Sequence, residues 1–506
     1  MIDLSAFSAA LSLLGSDPLA WLVVIPGLFI GLIFGAIPGL SISIAMAVFL
    51  PATLYMDFLP AILFLTAIFT GGGFGGAVPA ILMNIPGTSS AVATAFDGYP
   101  MSKNGQHGEA LGAGLVASAV GTLFGYILLM FIVSPVATWV LMLGPTEMLI
   151  VAIWGLLLIA VLNDSSIAKG LAAGILGILI STIGYSDTGL MRGTFGSMYL
   201  LDGIPAIPAL IGLFAASELI NMAGRDYLIA DREMRKMKLK PILKGAGDTL
   251  RAWPRVMRGS AIGTLIGIIP GVGASVANLA SYAAAKRLSK EPESFGKGNR
   301  EGVVASEAAN SSSEGGGMVT LLALGLPGGA GTAILLGAFA MHNVTGGPRF
   351  ISENTDIVYA LILGNIAQAI LLLGVGLVFV FLASSIVKIR LSYLIPYVLS
   401  ISMMGTYAIT GSLVGPLTVA GAGALGWIMR RYGYPVTATV VGLLIGPMAE
   451  GELTRSWQIS GGDPAFVLGR PITMVMLVLL VLMLAAIFVG KQMGRRSAAL
   501  VEGENA

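Results

Sequence analysis

Two runs in this 506-residue chain join a helix-breaking Pro-Gly pair to small polar residues inside apolar sequence. The first is Asn84, Ile85, Pro86, Gly87, Thr88, Ser89, Ser90. The second is Pro327, Gly328 and Gly329, followed by Gly331 and Thr332. A Pro-Gly pair ends one helix, and the hydroxyl residues after it can cap the next. The free N–H groups of that new helix start, with its positive dipole end, cradle an anion. Asn84 adds a donor just before the break. Upstream of the second run, Glu307, Asn310, Ser311, Ser312, Ser313 and Glu314 form a polar patch beside an apolar stretch. A solvated loop would account for it. Inside a membrane body it would instead hold a cation such as sodium, or a proton. The chemistry these residues suit is paired binding of an anion and a cation.

Two further breaks, Ile37-Pro38-Gly39 and Ile269-Pro270-Gly271, interrupt long apolar runs, with Ser43 following one and Ser275 and Asn278 the other. The stretch 69–100 carries helix breakers at Gly71–Gly73 with Gly75–Gly76, at Pro79 and at Pro86–Gly87. Irregular backbone at membrane depth is tolerated only where protein or a cavity satisfies its peptide groups. The stretch therefore reads as a helical hairpin that dips in and returns, or as a discontinuous helix. Asp97 reads as a turn residue, and Lys103, His107 and Glu109 as a solvated loop. Arg349, after the second hairpin, is a candidate to meet a carboxylate.

Composition sets the frame for these motifs. Charged residues make up 11% of the chain, apolar residues 56%, and mean hydropathy is +0.89. Soluble chains carry roughly 25% charge, which excludes a soluble globular enzyme and a disordered protein. A net charge of +2 does not suggest a nucleic-acid partner. With no Cys and two His, disulfide, thiolate-zinc and His-rich metal sites fall away. No GxxxxGK[ST] run occurs, so the chain does not hydrolyse ATP itself, and no HExxH or supported GxSxG motif suggests hydrolysis. The expectation is a non-enzyme without cofactor, with Glu307 and Glu314 the acidic candidates for coupling to Na+ or H+.

A membrane helix needs about 20 apolar residues. Candidate spans are 19–50, 58–70, 110–133, 138–162, 166–185, 203–223, 258–285, 355–387, 392–428 (two elements) and 470–490. The predicted fold is an all-α polytopic membrane protein of roughly 10–12 transmembrane helices plus re-entrant or discontinuous hairpins. The chain also repeats. At an offset of 232, Gly31, Gly35, Ile37, Pro38, Gly39, Ser43 and Ala45 match Gly263, Gly267, Ile269, Pro270, Gly271, Ser275 and Ala277. At an offset of 241, Gly75, Gly76, Val78, Pro86 and Gly87 match Gly316, Gly317, Val319, Pro327 and Gly328. Two motif pairs in one order mark two homologous halves.

Ten basic residues lie between Arg225 and Arg258, against four acidic ones, which places this loop in the cytoplasm. Lys491, Arg495 and Arg496 place the C-terminus on the same side. The N-terminal tail has no Lys or Arg, so it is expected outside and uncleaved. The halves then enter from opposite sides, as inverted-topology repeats. Lys286, Arg287, Lys290, Lys297 and Arg300 resist this if 258–285 crosses fully; either that segment is broken and returns, or the sidedness is reversed. The domain reading is an external tail (1–18), a first membrane repeat (19–223, hairpin about 60–97), a basic cytoplasmic loop (224–257), a second repeat (258–490, hairpin about 306–341) and a cytoplasmic tail (491–506).

The blocks GAIPGLSISIAMAVFLP (35–51), GGAVPAILMNIPGTSSAVATAFDGYPMSKNGQHGEALG (75–112), GIIPGVGASVANLASYAAAKRLSK (267–290) and FGKGNREGVVASEAANSSSEGGGMVTLLALGLPG (295–328) resemble the large membrane subunit of the tripartite tricarboxylate transporters, the TctA family. The resemblance spans nearly the whole chain. It implies the translocating subunit of a binding-protein-dependent secondary transporter in a bacterial inner membrane. Its implied partners are a small four-helix membrane subunit, a periplasmic substrate-binding protein, a tri- or dicarboxylate substrate and membrane lipid. Import would be coupled to a sodium or proton gradient by alternating access, elevator-like by analogy. The matching motif positions are Asn84, Pro86, Gly87, Thr88, Ser89, Pro327 and Gly328. A passive anion channel and a non-transporting scaffold subunit stand as alternatives.

Overall fold

The computed structural model describes residues 4–38, 40–162, 166–186, 188–222, 237–386, 391–463 and 469–482. Gly39, the basic residues Arg225, Arg232, Arg235 and Lys236, and the tail residues Lys491, Arg495 and Arg496 lie outside them. Among the described residues the regular structure is helical, apart from a short antiparallel ribbon of β1 (Gly184–Tyr185) and β2 (Met191–Arg192).

The first half runs through α1 (Leu4–Ser16), α2 (Pro18–Leu22), α3 (Val24–Ala36), α4 (Ile42–Phe49), α5 (Phe58–Met83), α6 (Val92–Lys103), α7 (His107–Val140), α8 (Pro145–Leu162) and α9 (Ile167–Ser181). It ends in α10 (Ala206–Ile211) and α11 (Ser217–Met222), joined by a π-helical turn. The second half comprises α12 (Leu239–Arg251), α13 (Trp253–Gly267), α14 (Gly273–Leu288), α15 (Arg300–Leu324), α16 (Ala330–Met341), α17 (Pro348–Glu353), α18 (Thr355–Ile386), α19 (Leu391–Thr410), α20 (Val414–Arg431) and α21 (Val436–Ile459).

Five helices among the described residues are long and apolar enough to cross a membrane, and eight shorter apolar helices of 10–17 residues accompany them. This is fewer full-length spans than the sequence suggests, because several apolar runs are divided between two helices. The chain is thus a multi-pass helical membrane protein.

Helix pairings recur with the halves exchanged. α13 packs on α15 as α3 packs on α5, and α12 lies on α7 as α1 lies on α18. α15 packs on α7 as α5 packs on α18, and α20 meets α10–α11 as α21 meets α9. Glycine backbones mediate the closest approaches, since lipid supplies no hydrophobic drive for helix association. A side chain at Gly35 would strike Gly72, and one at Gly267 would strike Ser313, the position 241 residues after Gly72. Burial separates the centre from the rim: the apolar window of α5 is 94% buried, that of α18 only 39%.

Three sequence expectations change here. The glycine run Gly71–Gly76 and Pro79 do not break a helix; α5 continues through them to Met83. Gly71 and Gly75 are instead places where the Leu28 and Leu32 carbonyls of α3 press against the helix. Asp97 is inside α6 and fully buried, not in a turn. Glu109 is on α7 and pairs with Lys244 and Arg300 (2.8 and 2.6 Å), so it is no solvated loop residue.

The second basic loop follows two helices, α13 and α14, that lie back to back. The 258–285 segment breaks at 268–272, and α14 doubles back: a side chain at Gly259 of α13 would lie 3.3 Å from Ser281 Oγ of α14. The loop after α14 therefore returns to the end where α13 begins. There Arg300 pairs with Asp248 at 2.6 Å, and Arg258 with Glu301 at 2.7 Å.

Candidate functional site

α5 and α15 end alike. Asn84 and Gly325, 241 positions apart, both take left-handed backbone (φ 58° and 67°), which Gly adopts freely and Asn tolerates. The chain then folds back. Gly87 N–H donates to the Gly76 carbonyl at 3.1 Å, and a side chain at Gly87 would strike that residue's Cα and the Gly35 carbonyl. Gly328 repeats the arrangement against Gly317 and the Gly267 carbonyl. Each following helix thus begins beside the helix before it rather than beyond its end. Pro86 and Pro327 stand one residue ahead of these contacts.

The new helix starts converge across the halves. Ser275 Oγ, in the first turn of α14, donates to Ser89 Oγ at 2.9 Å. A side chain at Gly329 would lie 3.5 Å from Gly273 Cα, also at the start of α14. The starts of α6, α14 and α16 therefore meet in one region. Thr88 and Ser90 are buried and share a hydrogen bond of 3.0 Å. Asn84 and Ser89 are exposed, and Gly329 is half-buried, so the region is open at its surface. Gly329 N–H donates to Thr332 Oγ1 at 2.8 Å, capping α16. Gly331 sits against the Phe69 ring. Ser43 follows the first break; it hydrogen-bonds Ser41, whose hydroxyl caps α4. Pro38, Pro270 and Gly271 occupy their breaks, Gly271 with φ 76°.

The acidic candidates are buried on α15. Glu307 accepts hydrogen bonds from Thr94 Oγ1 of α6 and from Ser118 Oγ of α7, the latter at 3.0 Å. Glu314 accepts from Thr70 Oγ1 of α5 at 3.0 Å and from Tyr126 Oη of α7 at 2.8 Å. Both residues are at most 3% exposed, and neither has a cationic partner among the described residues. An isolated buried carboxylate costs several kcal/mol unless it is paired or protonated. A bound proton or cation would offset that cost at either carboxylate. Asn310 Nδ2 donates to the Gly73 carbonyl at 3.2 Å, and the buried Ser311 Oγ lacks a partner there, 3.6 Å from where a side chain at Gly73 would begin. Ser312 and Ser313 do not join them. Their side chains bond the Ala309 and Asn310 carbonyls of their own helix, and the positions pack on Gly263 and Gly267 of α13.

The open region and Glu307 are linked. Ser275 and Asn278 are three apart on α14. Asn278 Oδ1 accepts from Ala93 N–H at 2.9 Å, and its Nδ2 donates to the Ser306 carbonyl at 3.2 Å. Thr94, next to Ala93, reaches Glu307. Sequence reasoning missed Thr70, Thr94, Ser118 and Tyr126. Thr70 had one available signal: it stands 241 positions before Ser311. Arg349 is exposed on α17.

Helix breaks at matched positions, beside buried acids and among apolar helices, belong to a multi-pass membrane protein. The description "Tripartite tricarboxylate transporter TctA family" matches residues 21–441, and the chain belongs to that family. An Agrobacterium vitis protein described as an uncharacterized 52.8 kDa protein in the TAR-I ttuC′ 3′ region is 31% identical over 447 residues, 88% of each chain. A second protein of that organism, described as lying in the TAR-II ttuC′ 3′ region, is 31% identical over 210 residues, 42% of this chain and 87% of its own length. No solved structure matches the chain.

Proposed function

We propose that the chain is the translocating subunit of a tripartite secondary transporter that imports tri- or dicarboxylate-type anions by alternating access. The observation that carries this reading is the meeting of the α6, α14 and α16 starts, with Ser275 on Ser89 and Gly273 beside Gly329. Three positive helix ends, lined by the hydroxyls of Thr88, Ser89, Ser90 and Ser275, suit a carboxylate. Asn84, Pro86, Gly87, Thr88, Ser89, Ser90, Pro327, Gly328, Gly329, Gly331 and Thr332 form its binding region. Glu307 and Glu314, with Asn310 and Ser311, hold the coupling ion, sodium or proton. The linked path through Asn278 and Thr94 supports coupling between the two.

On this reading the halves are inverted repeats in a bacterial inner membrane. The 224–257 loop and the C-terminus face the cytoplasm. The partners are a small four-helix subunit and a periplasmic binding protein. The exchanged helix pairings support two halves related by a two-fold axis, and the charge of the 224–257 loop supports their inversion. The α6 and α16 units move against the remaining helices.

Labelled citrate uptake into vesicles containing the chain and its small subunit tests the proposal, with binding protein and a sodium or proton gradient each present or absent. Uptake is expected to need both. Competition by other acids covers a different substrate. Pro86→Ala with Pro327→Ala is expected to abolish uptake while leaving membrane insertion intact. Flux that ignores the gradient, or survives the double substitution, overturns the carrier.

A further inference from the structure

We infer that α12 is an interfacial helix that binds anionic phospholipid. The inference stands apart from the transport reading. Three faces of α12 differ in kind. Ile242, Gly245 and Thr249 are buried against the start of α7, where Gly112 meets the Ile242 carbonyl and Gly245 meets the Glu109 carbonyl. Leu239, Leu243 and Leu250, spaced at four and seven, form an exposed apolar stripe that Trp253 extends, at 47–63% exposure among the described residues. Lys240, Lys244 and Arg251 lie on the side away from the buried face, and all three are exposed. Lys244 is tied to Glu109, whereas among the described residues Arg251 pairs with Asp248 alone, at 3.6 Å and with its side chain 86% exposed. Between Lys238 and Arg258 there are six basic residues and a single acid, Asp248.

A helix held by protein on one flank, apolar toward the lipid and basic toward the headgroups lies in the membrane surface. The first-half counterpart supports the assignment. α1 occupies against α18 the place α12 occupies against α7, and it too exposes Leu4 and Leu11. Yet α1 carries no Lys or Arg. Both helices have an apolar surface to immerse, but only α12 has charge complementary to an anionic headgroup, at the end of the molecule where the Arg255, Arg258 and Arg300 ion pairs cluster.

The absence of cysteine makes the test direct. Leu243→Cys in the full chain carries an environment-sensitive fluorophore, with Leu373→Cys on the exposed flank of α18 as a control. Purified protein is titrated with spin-labelled phosphatidylglycerol or phosphatidylcholine. Phosphatidylglycerol is expected to quench the label at 243 at far lower concentration than phosphatidylcholine, while both quench at 373 alike. Adding Lys240→Gln and Arg251→Gln should raise the half-quenching concentration of phosphatidylglycerol about 25-fold, at about fivefold per charge near an anionic surface, and leave the phosphatidylcholine curve in place. Equal quenching by the two lipids, or indifference to the double substitution, overturns the proposal. So does a label at 243 quenched by aqueous iodide but by neither lipid.

Discussion

Asp97→Ala should loosen the junction between the two halves. Asp97 Oδ1 accepts three backbone N–H groups, from Gly296, Gly298 and Asn299, at 2.8–2.9 Å. Its Oδ2 accepts from Tyr282 Oη at 2.9 Å. One carboxylate on α6 therefore organises the loop between α14 and α15. Hydrogen bonds to a charged group contribute about 1.5–3 kcal/mol each. The loop is half-buried, so water recovers part of what alanine removes, leaving a loss of about 3–6 kcal/mol. In a chain of this size that lowers the apparent melting temperature in detergent by about 5–10 °C. Asp97→Asn keeps an acceptor for the three N–H groups, and Tyr282 can turn to accept from the new amide. It loses the charge, which roughly halves such bonds, so its cost is about 1–3 kcal/mol. A second readout is local: trypsin should cut after Lys290 or Lys297 faster in Asp97→Ala than in Asp97→Asn, and slowest in the parent chain. Equal melting and equal cleavage among the three would refute the assignment of Asp97 as the organiser of this loop.

Gly87→Val and Gly328→Val should each abolish uptake, because both residues pack on glycine backbone at matched contacts; normal uptake by either would show that the fold-back can yield. Tyr126→Phe deletes the 2.8 Å bond that the phenol donates to the Glu314 carboxylate, so a proton or cation there should be held about 5- to 30-fold more tightly, while Glu314→Gln should remove the gradient dependence; ion-titrated uptake reads both. Arg300→Ala breaks two pairs of 2.6 Å, to Glu109 and Asp248, and should destabilise by about 1–3 kcal/mol, a loss that high salt imposes on the parent chain only in part because the side chains are half-buried.

The Pro-Gly breaks were legible because lipid leaves irregular backbone few reasons to exist, and because they repeat. The same rule misread Gly71–Gly76. Glycine at membrane depth marks either a break or a close approach, and only the position of α3 decides between them. Glu307 and Glu314 stood out as acids beside apolar sequence, but their donors did not. Thr70, Ser118 and Tyr126 are single polar residues in apolar helices, distant in the chain, and nothing in their own segments marks them. Asp97 followed turn logic from its neighbours Gly98 and Pro100, yet its function is to accept N–H groups some two hundred residues away, a long-range fact that local pattern does not carry.

The symmetry of the frame is broken where it matters most. Shifting by 241 maps Ser311 onto Thr70 and Glu314 onto Gly73. The contact of Thr70 with Glu314 is therefore the exchanged counterpart of the approach of Ser311 to Gly73. One member of the pair is a hydrogen-bonded acid; the other is a hydroxyl beside bare backbone. The same shift maps Glu307 onto Thr66. Glu307 takes a hydrogen bond from Ser118 of α7, and Thr66 takes one from Gln368 of α18, at 3.3 Å. So α5 and α15 are built on one plan and cross at their middles, but every acid lies on α15. A buried acid on both would place two uncompensated charges within one contact, at a cost neither helix could offset. On the proposed reading the coupling site is single, while the helix starts that receive the anion come from both halves. Moving a charged acid into the first half tests this: Gly73→Glu combined with Glu314→Gly conserves composition at the crossing but presents the carboxylate from α5. Restored gradient-driven uptake would mean that the crossing point alone sets coupling. Loss of uptake with normal insertion would mean that Tyr126 and Thr70 must address the acid from the first half, as they do here.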